Sequence, residues 1–265
     1  MSATPESITP ESITPASITS AAGTAVLRTE IRLFRREPGA LFWILLFPAL
    51  LLVILGSIPS FGDPQADLGG LRTIDVYVPV AVLLGPIVGG LQSMPQTLTG
   101  YRERGILRRM SATPVRPAAL LRAQMLVYGG AALASSLLAL AVGRLAFDVR
   151  LPRQPLGYAL ALVLTVLVAL ALGAVISALS RTTKVAGAIG SAVFFPSMFC
   201  AGVWAPVQTM PEVLARIVGF TPFGAAAEAL NRAAAGDWPG WGHLGVLVAW
   251  TLLLTAGAAR WFRWE

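Results

Sequence analysis

Six stretches of the chain are apolar for long enough to cross a bilayer: residues 41–58, 76–99, 121–147, 156–179, 185–203 and 242–262. A hydrocarbon core about 30 Å thick needs roughly 20 helical residues, so each stretch is expected to form a transmembrane helix. The expected fold is an all-α polytopic membrane protein. Pro48 should kink the first span. The second carries Gly85-x-x-x-Gly89, a spacing that allows close helix approach, either within the chain or at a dimer seam. Gln92 and Gln96 lie one turn apart in the same span, where they either bond a neighbouring helix or line a polar cavity. Ala186, Gly187, Ala188, Gly190 and Ser191 open the fifth span with small residues suited to helix contact. Arg144, near the end of the third, is expected to snorkel to the interface.

The segments between the spans have patterns of their own. Residues 1–23 contain the repeat TPESI-TPESI-TPASI, too polar and proline-rich to bury a core, and are expected to be a disordered tail. Residues 24–37 read as an amphipathic helix in the headgroup layer. On its wheel Val26, Leu27, Ile31, Leu33 and Phe34 share one side, and Arg28, Arg32, Arg35 and Arg36 the other. Residues 204–241 are divided by prolines at 206, 211, 222 and 239. Two short helices, 210–219 and 224–235, should dip part-way into the membrane, with Glu228 and Arg232 as a surface pair. Residues 101–121 form the most basic segment, with six arginines in and beside it (102, 104, 108, 109, 116, 122) against Glu103. Ile106, Leu107 and Met110 give a short helix there an apolar edge, and Pro114 and Pro117 end it. This segment is either a helix held by a partner or a solvated loop that fixes topology.

Composition narrows the class. Charged residues are 12% of the chain against 55% hydrophobic, well below the roughly 25% charged of soluble domains. The net charge of +7 does not indicate nucleic acid, because the bases cluster beside apolar runs. Fourteen of the twenty Arg and Lys fall on one side of a six-span frame and six on the other, which places both termini in the cytoplasm. One cysteine, Cys200, and one histidine, His243, leave no metal site and no intrachain disulfide. No P-loop, zincin or nucleophile-elbow motif is present, and no carboxylate pair sits mid-membrane. If the chain moves solute uphill, the energy comes from a partner. A channel would need rings of like residues and a membrane enzyme convergent polar groups, and neither pattern is present.

Two motifs carry a resemblance. Glu103-Arg104-Gly105-Ile106-Leu107-Arg108-Arg109-Met110-Ser111-Ala112-Thr113-Pro114-Val115-Arg116-Pro117 resembles the E-x-G-x-L loop of ABC-2 type exporter permeases of the daunorubicin/doxorubicin-resistance type. Phe195-Pro196-Ser197-Met198-Phe199-Cys200-Ala201-Gly202-Val203-Trp204-Ala205-Pro206, then Met210-Pro211 and Thr221-Pro222, resembles that family's pattern before its last span. Met110 stands where Leu is commoner, and Cys200-Ala201 where a Ser is usual before the Gly.

The resemblance implies that residues 24–265 form one ABC-2 transmembrane domain in a bacterial plasma membrane. Residues 24–37 would be a connecting helix and 101–110 a coupling helix. Tyr101, Arg102, Glu103, Arg104, Gly105, Ile106, Leu107 and Met110 would meet a separate ATP-binding subunit, which holds ATP and Mg, while this chain binds no cofactor. The helices in 204–235 would be a re-entrant pair, and a second permease copy, identical or paralogous, would complete the transporter. The implied task is export of an amphipathic small molecule such as a drug or antibiotic. Phe42, Phe47, Gln92, Phe194 and Phe199 are candidates for its path. An ABC-2 permease for a lipid-linked glycan or polymer is the alternative.

Overall fold

The computed structural model describes residues 15–65, 70–111, 117–204 and 210–261. Residues 1–14 of the repeat, residues 112–116 with Pro114 and Arg116, Pro206, Arg263 and Trp264 lie outside the described residues, as does the side chain of Met110. The described chain is almost wholly helical. Helix α1 is Pro15–Phe34, α2 Pro38–Gly56, α3 Thr73–Glu103, α4 Ile106–Ser111 and α5 Pro117–Phe147. Then follow α6 Pro155–Leu179, α7 Thr183–Cys200, α8 Glu212–Gly219, α9 Pro222–Ala235 and α10 Trp241–Trp261. The six long apolar helices α2, α3, α5, α6, α7 and α10 are the six expected spans. Helix α1 begins nine residues before Thr24, with Pro15 at a position where a missing amide costs nothing.

Helix α3 is the axis of the bundle. Ala81, Val82, Leu83, Ile87, Leu91 and Met94 are wholly buried against α2, α5, α6 and α7. Glycines let its neighbours approach at backbone distance. A Cβ at Gly85 would fall on the Ser135 side chain and 3.3 Å from the Ile44 carbonyl, and one at Gly89 would touch the Ile44 side chain at 3.6 Å. The Gly85/Gly89 pair is therefore filled within the chain by α2 and α5. A Cβ on Gly90 would lie 2.5 Å from the Ala169 carbonyl of α6, and one on Gly173 would overlap the Gly90 carbonyl. Backbone meets backbone there, so no side chain can move aside. Gly173→Leu should cost at least about 3 kcal/mol, the upper end for overpacking, and detergent size exclusion should show loss of the monodisperse peak.

Two spans contain a π turn, each placed just before a proline. In α2 the turn is Phe42–Leu46 and the Phe47 amide donates to the Phe42 carbonyl, followed by Pro48. In α3 it is Gly89–Ser93 and the Met94 amide donates to Gly89, followed by Pro95. A proline has no amide to continue the ladder and its ring crowds the carbonyl four residues back, so the helix widens by one residue. The expected kink at Pro48 takes this form.

Helices α8 and α9 meet at about 100°. Thr221 Oγ1 accepts the Gly224 amide at 3.2 Å to start α9, and Gly236, at φ +113°, closes it in the left-handed conformation. Ala225, Ala226, Ala229, Leu230 and Ala233 are fully buried against α6 and α10. Protein thus covers the inner helix of the bent pair. Glu228 and Arg232 do not pair. Among the described residues the ion pairs are Arg72–Asp75, Arg144–Asp148 and Arg216–Glu212. Arg144 therefore has a carboxylate partner rather than only water at the helix end.

Candidate functional site

At one end of the bundle the chain turns sharply out of α3 into α4. Gly105 makes the turn at φ +64°, a conformation costly for any residue with a Cβ. The two residues that end α3 grip the neighbouring turn from both sides. Arg102 donates to the carbonyls of Ser177 at 3.0 Å and Ser180 at 2.6 Å, meeting the unpaired carbonyls at the end of α6. Glu103 accepts from the Thr183 amide and from Thr183 Oγ1, both at 3.0 Å, at the start of α7. A cation at a helix C-terminus and an anion at an N-terminus both match the helix dipole. Adjacent residues thus tie α3 and α4 to α6 and α7.

Of the predicted coupling residues, Tyr101 and Leu107 are buried within the chain, packed with Leu120 and against Val26 and Ile106. The apolar edge of α4 therefore turns inward, and its exposed face carries Arg108 and Arg109, with Arg104 exposed in the turn before it. Gly105 and Ile106 are half-buried between the two.

The sequence reading missed Glu30. It is only 6% exposed, on the stripe Val26–Glu30–Phe34 that α1 presses against α5. Tyr101 Oη donates to Glu30 Oε2 at 2.9 Å and Gln124 Nε2 donates to the same oxygen at 2.5 Å. Burial raises the carboxyl pKa above its ordinary value; the Tyr101 hydrogen bond opposes this and the charge of Glu37 adds to it. Beside it Phe34 meets Tyr128 edge-on at 5.4 Å, and the Tyr128 and Thr97 hydroxyls are 2.8 Å apart. Helical phase was the available signal, since residue 30 falls midway between Val26 and Phe34. Leu33, expected on the buried side, is 42% exposed and faces a cavity instead.

That cavity, about 810 Å³, opens beside the elbow. Both π turns border it, through Trp43 in α2 and Gln92 and Ser93 in α3. Gln96 and Thr97 continue the polar wall one turn on. Ser191, Phe194 and Phe195 of α7 face them, and Tyr101, Arg104, Ile106 and Thr183 reach it from the elbow. Gln92 does both things considered for it, lining the cavity while its Nε2 donates to Ser191 Oγ at 3.4 Å. Of the predicted path residues, Gln92 and Phe194 are in the wall, whereas Phe42, Phe47 and Phe199 are not. Phe42 and Phe47 flank Trp43 at 5.2 and 4.9 Å, and Phe47 packs on the core. On α7, Phe195 lines the wall and lies stacked with Trp204 at 6.2 Å.

Residues 68–260, from before α3 to the end of α10, match the family model described as ABC-2 family transporter protein. The chain belongs to the ABC-2 transporter family. No curated protein matches it. As an ABC-2 permease it is a multi-pass transmembrane subunit and not the ATPase, and the family implies an ATP-binding partner. The matched region holds the elbow and the α3 and α7 walls of the cavity. Helices α1 and α2 and the link between them, which supply Leu33, Trp43 and Glu37, precede it.

Proposed function

We propose that this ABC-2 permease belongs to an exporter of the daunorubicin/doxorubicin-resistance type and expels an amphipathic small molecule. The observation that carries the reading is the cavity. Amides, hydroxyls and four aromatic side chains share its wall, and that wall begins at the elbow. Such a surface suits a solute with an apolar body and a few hydrogen-bonding groups. The distribution of Arg and Lys supports an elbow on the cytoplasmic side of a bacterial plasma membrane, with both termini there.

In this reading the ATP-binding subunit, holding ATP and Mg, docks on the exposed arginine face of α4. Its closure tilts the elbow, Glu103 and Arg102 pass the motion to α7 and α6, and α7 carries Ser191, Phe194 and Phe195 with it. The cavity then closes on one side and opens on the other. A second permease copy covers the open side, where Gln96 and Phe195 are exposed.

The test is export of a fluorescent amphipathic amine from proteoliposomes holding permease and ATP-binding subunit. Gln92→Leu with Gln96→Leu should raise the half-saturating solute concentration about tenfold, two hydrogen bonds at about 0.5–1.5 kcal/mol each, with ATP turnover retained. An unchanged solute dependence would remove the cavity from the path.

A further inference from the structure

The side of α1 opposite its buried stripe is an arginine ridge. Arg28, Arg32 and Arg35 recur every three to four residues and therefore share one face, with Arg36 beside them. All four are exposed, and with Ile31, 43% exposed, they line a shallow groove of about 450 Å³. The helix's own carboxylate points away, since Glu30 is buried with Tyr101 and Gln124. Glu37 borders the other cavity. Among the described residues none of the four arginines forms an ion pair. Four like charges, on the last two turns of α1 and the turn that follows it, repel one another until an anion neutralises them.

What lies within reach decides the anion. Only three residues separate Phe34 from Pro38, where the first span begins. Such a link extends no more than about 11 Å, so the ridge stays at the level of the lipid headgroups. The opposite face is fixed to α5 by Val26, Glu30 and Phe34, so the ridge looks outward from the bundle. Arginine offers planar, fork-like donors that suit phosphate oxygens. Ile31, between the charges, meets the apolar edge of the same layer.

We infer that the Arg28–Arg32–Arg35 ridge of α1 is a binding site for the phosphate headgroups of anionic phospholipids. Bound lipid there holds α1 in place, and through Glu30 it steadies Tyr101 at the elbow.

The experiment uses the full chain in nanodiscs of mixed phosphatidylglycerol and phosphatidylcholine, with retained lipid identified by native mass spectrometry. Wild-type protein should retain phosphatidylglycerol preferentially. Arg28→Gln/Arg32→Gln/Arg35→Gln should lose that preference, by about fivefold for each arginine removed. The corresponding triple lysine variant, which keeps the charge, should preserve most of it, and Arg150→Gln at the far end of the bundle should change nothing. Equal phosphatidylglycerol retention in wild type and the triple glutamine variant would overturn the assignment, as would no preference in wild type. Unchanged lipid retention with loss of a co-purifying ATP-binding subunit would also overturn it, making the ridge a protein contact.

Discussion

Glu103→Ala should leave the permease folded and inserted, ATP turnover by its partner intact, and export reduced at least about tenfold. The expectation rests on what Glu103 holds. Its two oxygens accept the amide and hydroxyl of Thr183, so this exposed carboxylate ties the elbow to the first residue of α7, in addition to the Gln92–Ser191 contact farther along the two helices. An exposed carboxylate at a helix start contributes about 1 kcal/mol or less to stability, so the variant survives purification. Coupling is another matter, because α7 carries one wall of the cavity and would no longer follow the elbow. Thr183→Val, which removes the hydroxyl bond and keeps the amide bond, should be intermediate. Simultaneous measurement of ATP hydrolysis and solute export in proteoliposomes separates the outcomes. Export and hydrolysis falling in proportion would point to lost partner binding, and unchanged export would remove Glu103 from the coupling route.

Glu30→Leu should lower the stability of the permease by about 2–5 kcal/mol, because the Tyr101 hydroxyl and the Gln124 amide lose their acceptor inside the protein. Glu30→Gln keeps an acceptor oxygen and should cost far less. The two carboxyl states also predict a pH signature. Burial raises the folded carboxyl pKa above its ordinary value of 4.5. Between the two values the folded state holds the proton and the unfolded state has released it, so stability falls as pH rises through that window. The favourable term is complete below about 4.5 and gone above the raised folded value. Glutamine has no proton to lose. The melting temperature of Glu30→Gln relative to wild type should therefore climb as pH rises from 4.5, measured in detergent at a series of pH values. Parallel curves for the two proteins would show that Glu30 is not held in a proton-retaining site.

Much of the architecture was legible because membrane burial writes long signals. Each span is a long, mainly apolar run, and the bent α8–α9 pair announces itself through the prolines that divide residues 204–241. Glu103 and Gly105 were picked out by motif, and the structure gives them physical work, a helix-to-helix tie and a left-handed turn. Other features were hidden for definite reasons. The π turns depend on how a proline's missing amide is absorbed, which apolar periodicity does not represent. Glu30 was hidden because a charged residue on an amphipathic helix is read as exposed. Its burial depends on donors 71 and 94 positions away. Tyr101 and Leu107 were assigned to a partner contact through the family resemblance, and a motif does not say which of its residues this chain itself covers.

If α4 seats a separate ATP-binding subunit whose motion works the cavity, that subunit should travel with the permease and depend on the exposed arginines of the elbow. Affinity purification of the full chain from its native membrane in mild detergent tests it most directly. An ATP-binding subunit should be recovered with the wild-type permease, and reversing the charge at the exposed positions Arg104 and Arg109 should remove it while the permease remains monodisperse. Recovery of the permease alone, or of a subunit indifferent to both substitutions, would contradict the account and return the arginines of α4 to a role in topology only.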